Sequence, residues 1–499
     1  MTLHFEPFYQ EYLNTLDAYN LAITTMYTDQ VTCAPKKGIP HSNQAISILS
    51  QDLFKFENNP EMIQKIKEYA GRLEDGSLEK MEINMRLEQL ADTENIPADE
   101  YGAYVKARSD AGYYWQIAKE KNDYPLFKPY LKDVMEKTIH LLSYSPKYKP
   151  GNEYNLLLDQ FEKGMNMDAY DSFFKVIKEE LVPFIHLVQT RGKKIDDSML
   201  SIHVDIARQE TFMSYIMDFL QVDRERVYLS TTEHPFTNFL SHNDVRITTH
   251  FYPDAFLSAV LSTVHEYGHA LYGLQMDEQF EGTELNLLVG SGAHESQSRL
   301  LENHIGRSKA FWKANYSSLI QLFPEFKDVS LDHLVDMINV SRPSCIRTEA
   351  DELTYPLHIL IRYELEKQIV NGSVNYDTLN KVWADKYEKY LGVRPKNDTE
   401  GILQDIHWSD GSLGYFPTYA LGSAYAAQIY AAMEKEIDVA KALESCHFEM
   451  ISQWLKENVH HYAASKTMAE IVEIVSHEPF DPHYYVNYLK EKYTKLYQL

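Results

Sequence analysis

The chain has 499 residues, of which 44% are hydrophobic and 24% are charged, and its formal net charge at pH 7 is -25. This length and apolar content allow a large buried core, whereas the negative charge argues against a nucleic-acid or anionic-membrane partner. The three cysteines, Cys33, Cys345 and Cys446, form an odd and scattered set, which predicts a reducing, cytoplasmic location.

No long linker divides the chain. The Pro- and Gly-containing stretch at residues 145–152 is the best candidate boundary, but it is short enough to be a loop between helices. We therefore expect one globular unit over residues 1–499. Its N-terminal residues lack a signal pattern and no apolar run of about 18 residues occurs, so we expect neither export nor a membrane span.

Most of the sequence has helical periodicity. Charged and apolar residues alternate from residue 63 to 122, and residues 168–190 predict an amphipathic helix that is interrupted near Pro183. The region from Tyr419 to the C-terminus is again helical. The exception is a pair of short β-branched segments at residues 227–232 and 245–250, which predict a small antiparallel sheet. The fold class is therefore all-α, with a small antiparallel sheet.

A helix follows the predicted sheet and carries His-Glu-Tyr-Gly-His at residues 265–269. Residues four apart in a helix lie one turn apart on the same face, so His265 and His269 point the same way. Two imidazoles at this spacing suit a tetrahedral zinc ion, and Glu266 can reach water at the open position of the metal. We expect this helix to begin after Asp254 as N-cap and to stop near Gly273.

A zinc site needs a third protein ligand, and the chain offers two neighbouring candidates. A glycine-rich stretch at residues 290–292 leads into a second predicted helix that carries His294 and Glu295. Some zinc peptidases take a Glu from such a following helix. We favour Glu295, because a helix presents only one of two adjacent side chains to a single point, and His294 remains the competing ligand.

Several ordered motifs together resemble the carboxypeptidase Taq family of zinc metallocarboxypeptidases, a helical group related in architecture to neurolysin-like peptidases. They are His-Pro-Phe at 234–236, Asp-Val-Arg-Ile-Thr at 244–248, the segment at 265–269, His-Glu-Ser-Gln at 294–297, Ile-Arg-Thr-Glu-Ala-Asp at 346–351 and Gly-Ile-Leu-Gln-Asp-Ile-His-Trp at 401–408. One departure is Tyr27-Thr28, where the family pattern has a Trp before Asp29-Gln30.

The resemblance implies a zinc carboxypeptidase of broad specificity that acts on peptides with a free C-terminus, with Co²⁺ as a possible substitute metal. It also implies a homodimer, and a deep groove flanked by the N-terminal helices up to roughly residue 145. Zinc held by His265, His269 and Glu295 would activate water, and Glu266 would serve as general base. By analogy with related helical zinc peptidases, the donors to the oxyanion are expected among His407, Tyr415 and Tyr419.

A carboxypeptidase also needs a cation for the substrate's terminal carboxylate. Arg347 is the first candidate, because a guanidinium can grip a carboxylate with two parallel hydrogen bonds. The alternative is a structural ion pair with a nearby acid: Glu349, Asp351 or Glu352.

Arg246 is the second candidate for the carboxylate anchor. Asp244 is expected to line the cleft and is a candidate for orienting either a ligand or an arginine. His234 is expected to line the cleft beside it. Two other functions remain open: a cytosolic zinc oligoendopeptidase of the same helical architecture, and a helical binding protein with a decayed site. The intact Glu266 counts against the binding protein, because holding a structural metal needs no base.

Overall fold

The computed structural model describes residues 3–499. Residues 1 and 2 lie outside the described part. They belong to the predicted 1–499 unit and to the N-terminal residues that lack a signal pattern. The described chain before the sheet is helical, including residues 63–122, where the alternating pattern predicts helix. Its helices are α1 (Pro7–Thr32), α2 (Ile39–Glu57), α3 (Pro60–Ala70), α4 (Leu78–Thr93), α5 (Ala98–Lys121), α6 (Tyr124–Leu141), α7 (Glu153–Phe161), α8 (Met167–Arg191) and α9 (Ile206–Phe219).

Three short strands separate these helices from the rest of the chain: β1 (Val227–Thr231), β2 (Thr237–Ser241) and β3 (Asp244–Thr249). The first helices after the sheet are α10 (Phe256–Gln275), α11 (Glu284–Leu287), α12 (Ser291–Arg299), α13 (Lys309–Leu322), α14 (Leu331–Ile338), α15 (Tyr355–Val370) and α16 (Leu379–Leu391). The last are α17 (Phe416–Glu436), α18 (Val439–Glu444), α19 (Phe448–Asn458), α20 (Met468–Ser476) and α21 (His483–Tyr497). The predicted mainly helical class with a small sheet is therefore confirmed. Within residues 3–499, no helix is both long enough and apolar enough to span a membrane.

The expected pairing of the sheet is wrong. The strand order is β1-β3-β2, and β3 pairs parallel with β1 and antiparallel with β2. The segment between the two predicted strands, expected to be a connection, itself contains β2. Because β2 reverses the chain before β3 begins, β3 runs in the same direction as β1.

Two predicted helices differ in their details. Helix α8 is continuous through Pro183, and buried side chains before and after the proline pack it into the core, among them Leu181 and Phe184. Helix α10 begins at Phe256 and runs past Gly273 to Gln275. Gly273 lies inside the helix and makes room for a neighbouring ring: a Cβ there would lie 2.2 Å from the ring of Phe239.

The apolar side chains form a large core and a smaller one. The smaller core joins α1, α3 and α4 through residues such as Tyr9, Ile66 and Ile83. The large core is built on the helices from α5 onward and includes both sides of α10 and α17. The removal of this apolar surface from water in both cores is the dominant favourable contribution to the free energy of folding.

Helix α12 is held between α10 and α17 at two glycines. A Cβ on Gly268 of α10 would lie 2.6 Å from the carbonyl oxygen of Gln297, and one on Gly422 of α17 would lie 2.7 Å from Cβ of Glu295. Any larger residue at either position would push the helices apart. The glycines thus bring the backbone of α12 close to the face of α10 that carries His265.

Candidate metal centre

Three nitrogen and oxygen ligands converge between α10 and α12. Ligand atoms of His265, His269 and Glu295 all lie within 4.8 Å of one another. Oε2 of Glu295 is 3.8 Å from Nε2 of His265 and 3.8 Å from Nε2 of His269. The structure therefore brings together the three side chains that the sequence predicts as metal ligands.

The donor set fits zinc in chemistry and in size. Two imidazoles and a carboxylate form a ligand set found at catalytic zinc, and around a tetrahedral ion such ligand atoms lie roughly 3.4 Å apart. A small inward movement from 3.8 Å is enough to reach that separation. The side chains of His265 and His269 keep 17% and 19% of their surface exposed, so the site is open to solvent on one side.

Glu302 supports the imidazole of His265 from behind. Its Oε2 lies 3.0 Å from Nδ1 of His265, which leaves Nε2 free to face Glu295. Glu302 lies in a π-helical turn, Leu300–Gly306, that continues α12 and is buried along its whole length. A carboxylate on the outer nitrogen fixes the tautomer and the orientation of a metal-binding histidine.

Arg299 joins Glu295 to Glu302. Its Nε donates to Oε1 of Glu295 at 2.6 Å, and its Nη1 donates to Oε2 of Glu302 at 3.1 Å. A second guanidinium, Arg307, donates to Oε1 of Glu302 at 3.1 Å. Although burial opposes ionisation of Glu302, these cations hold its pKa well below the usual range. The support for His265 is therefore a fixed anion.

Glu266 lies next to the three ligands and is held by the sheet. Its Oε2 accepts a hydrogen bond of 2.7 Å from the hydroxyl of Thr237 on β2, which also donates to the Glu266 carbonyl at 3.0 Å. Burial raises the pKa of Glu266 above its ordinary value. One carboxylate oxygen is thus anchored, and a raised pKa brings a carboxylate closer to what a base near neutral pH requires.

His294, the competing third ligand, lies outside this group. Its ring stands edge-on to Tyr272 with centroids 5.0 Å apart, and lies 5.8 Å from the ring of Phe239. Burial lowers its pKa to about 4, so it is a neutral residue of the wall between α10 and α12.

His407, Tyr415 and Tyr419 form a cluster of their own. Nε2 of His407 is 3.3 Å from the hydroxyl of Tyr419, and the ring of Tyr415 stacks on His407 with centroids 5.5 Å apart. Burial lowers the pKa of His407 to about 4, so the ring is neutral at pH 7.

Tyr419 lies one turn before Gly422 of α17, which packs against Glu295. The ring centre of Tyr419 is 6.4 Å from that of Tyr355, and the guanidinium of Arg299 lies 4.4 Å from the centre of the Tyr355 ring. The cluster therefore lies close to the ligand group.

Arg347 is buried and its ion-pair partner is none of the three acids expected from the sequence. Nε and Nη2 both lie 3.0 Å from Oδ1 of Asp405, and Nη1 donates to the hydroxyl of Tyr355 at 3.2 Å. Its guanidinium also lies 5.1 Å from the ring centre of Tyr419. Of the five N–H groups of a guanidinium, two remain for another partner beside the tyrosine cluster.

Arg246 and His234 lie nearer the surface. Nη2 of Arg246 donates to Oδ2 of Asp244 at 2.8 Å, as the sequence predicts, and its side chain is 34% exposed. His234 is exposed in the turn before β2, where its carbonyl accepts a hydrogen bond from Thr232. Neither side chain is in the ligand group.

Sequence reasoning missed Glu302 and Thr237. Glu302 is 37 residues from His265 and Thr237 is 29 residues from Glu266, so no local spacing indicated either contact. The available signal for Glu302 was general: metal-binding histidines usually have a carboxylate or carbonyl on the second nitrogen.

Known proteins of one family match this chain over nearly its full length. The family model for Carboxypeptidase Taq (M32) metallopeptidases matches residues 8–493. The chain is 38% identical to Carboxypeptidase 1 of Bacillus subtilis over 503 residues, covering 100% of both. It is 34% identical to Thermostable carboxypeptidase 1 of Thermus thermophilus over 480 residues, covering 94% of both. A solved structure of Pyrococcus furiosus carboxypeptidase matches with a TM-score of 0.93 at 32% identity, covering 99% of this chain and 100% of that one.

Proposed function

Because the chain belongs to the carboxypeptidase Taq family of metallopeptidases, we propose that it is a zinc-dependent carboxypeptidase with broad specificity. It would release C-terminal amino acids from peptides. The single observation that supports zinc is the convergence of His265, His269 and Glu295 on one point, with Glu266 beside it. Co²⁺ is the substitute metal to test, since it accepts the same nitrogen and oxygen ligands.

The proposed mechanism assigns the proton transfer to Glu266. A zinc ion at the site would polarise the scissile carbonyl and lower the pKa of water. Glu266 would take a proton from the attacking water through Oε1, the oxygen that Thr237 leaves free, and would pass it to the leaving amine. The hydrogen bond from Thr237 keeps the carboxylate in place during both transfers.

The oxyanion donors are assigned to the cluster of His407, Tyr415 and Tyr419. A neutral histidine and two protonated phenols are hydrogen-bond donors at pH 7, as this role requires. The low pKa of His407 and the raised pKa values of Tyr415 and Tyr419 support this assignment.

Recognition of the substrate carboxylate is assigned first to Arg347 and second to Arg246. Arg347 keeps two N–H groups free of Asp405 and Tyr355, and it lies next to the proposed oxyanion donors. Arg246 is more exposed and would act from β3, with His234 lining the cleft.

We further propose one catalytic domain over residues 1–499, with a groove flanked by the helices before roughly residue 145. A cavity of about 770 Å³ lies beside these helices, bounded by Met81 and Met85 of α4 and by Tyr272 and Gly290. None of the proposed ligands, donors or anchors lines it, so it supports a cleft next to the N-terminal helices and not the position of the catalytic groups. A homodimer and a cytoplasmic location complete the proposal. Three free cysteines support the location, and light scattering of the purified protein tests the dimer.

One digestion tests the reaction. An N-blocked peptide is incubated as its free acid and as its amide, with and without chelator, and the products are identified by mass spectrometry. Stepwise loss of C-terminal residues from the acid alone, abolished by chelator and restored by Zn²⁺, is the expected result. Internal cuts in both peptides would instead establish the oligoendopeptidase.

A Glu266→Gln variant tests the base. The variant should bind metal with unchanged stoichiometry and lose roughly 100- to 10,000-fold in kcat, since Gln cannot accept the proton. Turnover like that of the wild-type enzyme would remove Glu266 from the mechanism. A metal-binding protein with no turnover in the wild-type form would support the decayed-site alternative.

A further inference from the structure

Two of the proposed oxyanion donors lie at the ends of an irregular segment, residues 407–415, between α16 and α17. His407 begins a short 3-10 turn, His407–Asp410, and Tyr415 immediately precedes α17. Between them, Gly411 and Gly414 have φ values of +81° and +89°, the left-handed region that glycine adopts without strain. Turn hydrogen bonds shape the segment locally, such as that from the Ser412 N–H to the His407 carbonyl at 3.0 Å, but they do not connect it to other elements. Its position relative to the ligand group therefore depends on contacts from elsewhere in the chain.

Glu366 of α15 supplies such contacts at both ends of the segment. Its Oε1 accepts from the indole Nε1 of Trp408 at 2.8 Å, and its Oε2 accepts from the backbone N–H of Gly414 at 2.9 Å. The residue is fully buried, and its third hydrogen bond, 2.8 Å from the hydroxyl of Tyr154, ties it to α7. Trp408 directly follows His407, and Gly414 directly precedes Tyr415. The carboxylate therefore holds the chain neighbour of each proposed donor.

Two other contacts also hold the segment and the residues just before it. A Cβ on Gly414 would lie 2.8 Å from the carbonyl group of Leu157 on α7, so the backbone here packs against that helix. Asp405, two residues before His407, is held by Arg347 and by Arg362, whose Nε donates at 2.8 Å. Arg362 lies one turn before Glu366 on α15. Helix α15 therefore holds Asp405, just before the segment, and also contacts both ends of the segment through Glu366.

We propose that Glu366 is a positioning residue for catalysis: by holding Trp408 and Gly414 it sets where His407 and Tyr415 stand relative to the ligand group. The inference rests on the proposed function of those two side chains. A displacement of about 1 Å in a catalytic group can cost roughly 100-fold in rate. A carboxylate that only stabilised the core would affect unfolding but would not affect the geometry of the donors.

A Glu366→Gln variant of the full-length, zinc-loaded enzyme tests the proposal. Gln keeps the shape but places an NH₂ group either against Trp408, at the position of Oε1, or against Gly414 and Tyr154, at the position of Oε2. In either orientation one end of the segment is released. The expected result is a fall in kcat of roughly 10- to 100-fold with KM changed by less than about threefold, and unchanged zinc content. Hydrogen exchange of peptides covering residues 405–418 should become faster.

Glu364 provides the matched control on the same helix. It accepts hydrogen bonds of 2.8 Å from Lys178 and 2.8 Å from Tyr390, and contacts nothing in residues 407–415. A Glu364→Gln variant should lower the unfolding temperature while leaving kcat and the exchange of residues 405–418 unchanged. Equal kcat in the Glu366 and Glu364 variants, with equal exchange in the segment, would overturn the proposal.

A second variant keeps the test decisive if Glu366→Gln does not fold. Trp408→Phe removes one donor and leaves the carboxylate, so faster exchange near His407 and a several-fold lower kcat are expected. Wild-type values for both quantities would refute the proposed role. Hydrogen exchange is independent of turnover, so absence of peptide cleavage by the wild-type enzyme would overturn the proposed function, while the positioning of the segment would still be decided.

Discussion

Nδ1 of His265 lies 3.0 Å from Oε2 of Glu302, and this contact orients the ring of one proposed metal ligand. Two guanidiniums, of Arg299 and Arg307, keep Glu302 ionised in a buried position. The negative charge makes the imidazole a better electron donor and holds its ring toward Glu295. The proposed metal affinity therefore depends on a residue that does not contact the ion.

A Glu302→Gln variant should bind Zn²⁺ roughly 10- to 100-fold more weakly, because the side chain keeps its shape but loses its charge. Competition with a chromophoric chelator measures the dissociation constant without reference to activity. Glu325 supplies the control, since it also pairs with an arginine, Arg208, at 2.9 Å but forms no hydrogen bond or ion pair with any of the three ligands. Equal affinities for the Glu302 and Glu325 variants would show that Glu302 has no influence on the metal.

The close contact of α12 with α17 leads to a second prediction. A Gly422→Ala variant places a Cβ 2.7 Å from Cβ of Glu295, so α12 must move away from α17. Overpacking of this kind costs about 1–3 kcal/mol of unfolding free energy, and the shift of Glu295 should also weaken Zn²⁺ binding. Urea unfolding of the metal-free protein and a zinc titration measure the two effects.

Gly102 of α5 is the control for that substitution. A Cβ there meets no atom within 4 Å, so Gly102→Ala should stabilise the protein by up to about 1 kcal/mol through helix propensity. Two Gly-to-Ala changes in helices would thus have opposite signs. Stabilisation by Gly422→Ala would contradict the tight packing at Glu295.

The sequence indicated the proposed metal ligands, two of which lie close together along the chain, but it did not indicate the side chains that contact them. His265 and His269 are recognisable because a helix fixes the geometry of residues four apart. Glu302 and Thr237 reach the site only through the packing of α12 and β2 on α10, which no local pattern encodes. Glu366 was missed for the same reason, since its contacts are 42 and 48 residues away.

The sheet shows a different limit of sequence reasoning. The β-branched segments at residues 227–232 and 245–250 were located correctly, but their parallel pairing depends on β2, whose Asn238 and flanking Pro235 suggest a loop. Strand propensity predicts a strand of only five residues poorly, because it depends on how the side chains pack against neighbouring elements. Similarly, the partner of Arg347 is Asp405, 58 residues away, and not an acid in its own motif.

The proposed anchor for the substrate carboxylate can be separated from its structural role. In Arg347→Lys the charge near Asp405 remains, but the planar pair of N–H groups is lost. We expect kcat/KM for a free-acid peptide to fall by at least about tenfold, while binding of the corresponding amide is unaffected. Arg246→Lys serves as the comparison, and a larger loss in that variant would move the anchor to β3.

The last prediction concerns Glu162, which caps the helix that carries Glu295. Its Oε2 accepts from the backbone N–H of Gly292 at 2.8 Å and of Ala293 at 3.3 Å, yet burial raises its pKa from 4.5 to about 7. The folded protein therefore holds this proton more tightly than the unfolded chain does. The resulting stabilisation is fully present below about pH 4.5 and is lost as the pH rises through about 7.

A Glu162→Gln variant has no carboxyl group to titrate at this position. Its free energy of unfolding should therefore not fall as the pH rises through about 7 in the way expected for the wild-type protein. Relative to the wild-type protein, the variant should gain up to about 3 kcal/mol between about pH 4.5 and pH 8, measured by urea unfolding in the presence of chelator. Chelator removes the separate pH dependence of metal binding. Glu325→Gln is the contrasting variant, because the pKa of that exposed carboxyl is lowered and its removal should not produce the gain. Parallel curves for the wild-type protein and the Glu162 variant would mean that the cap stays ionised, so that the amides of Gly292 and Ala293 outweigh the cost of its burial.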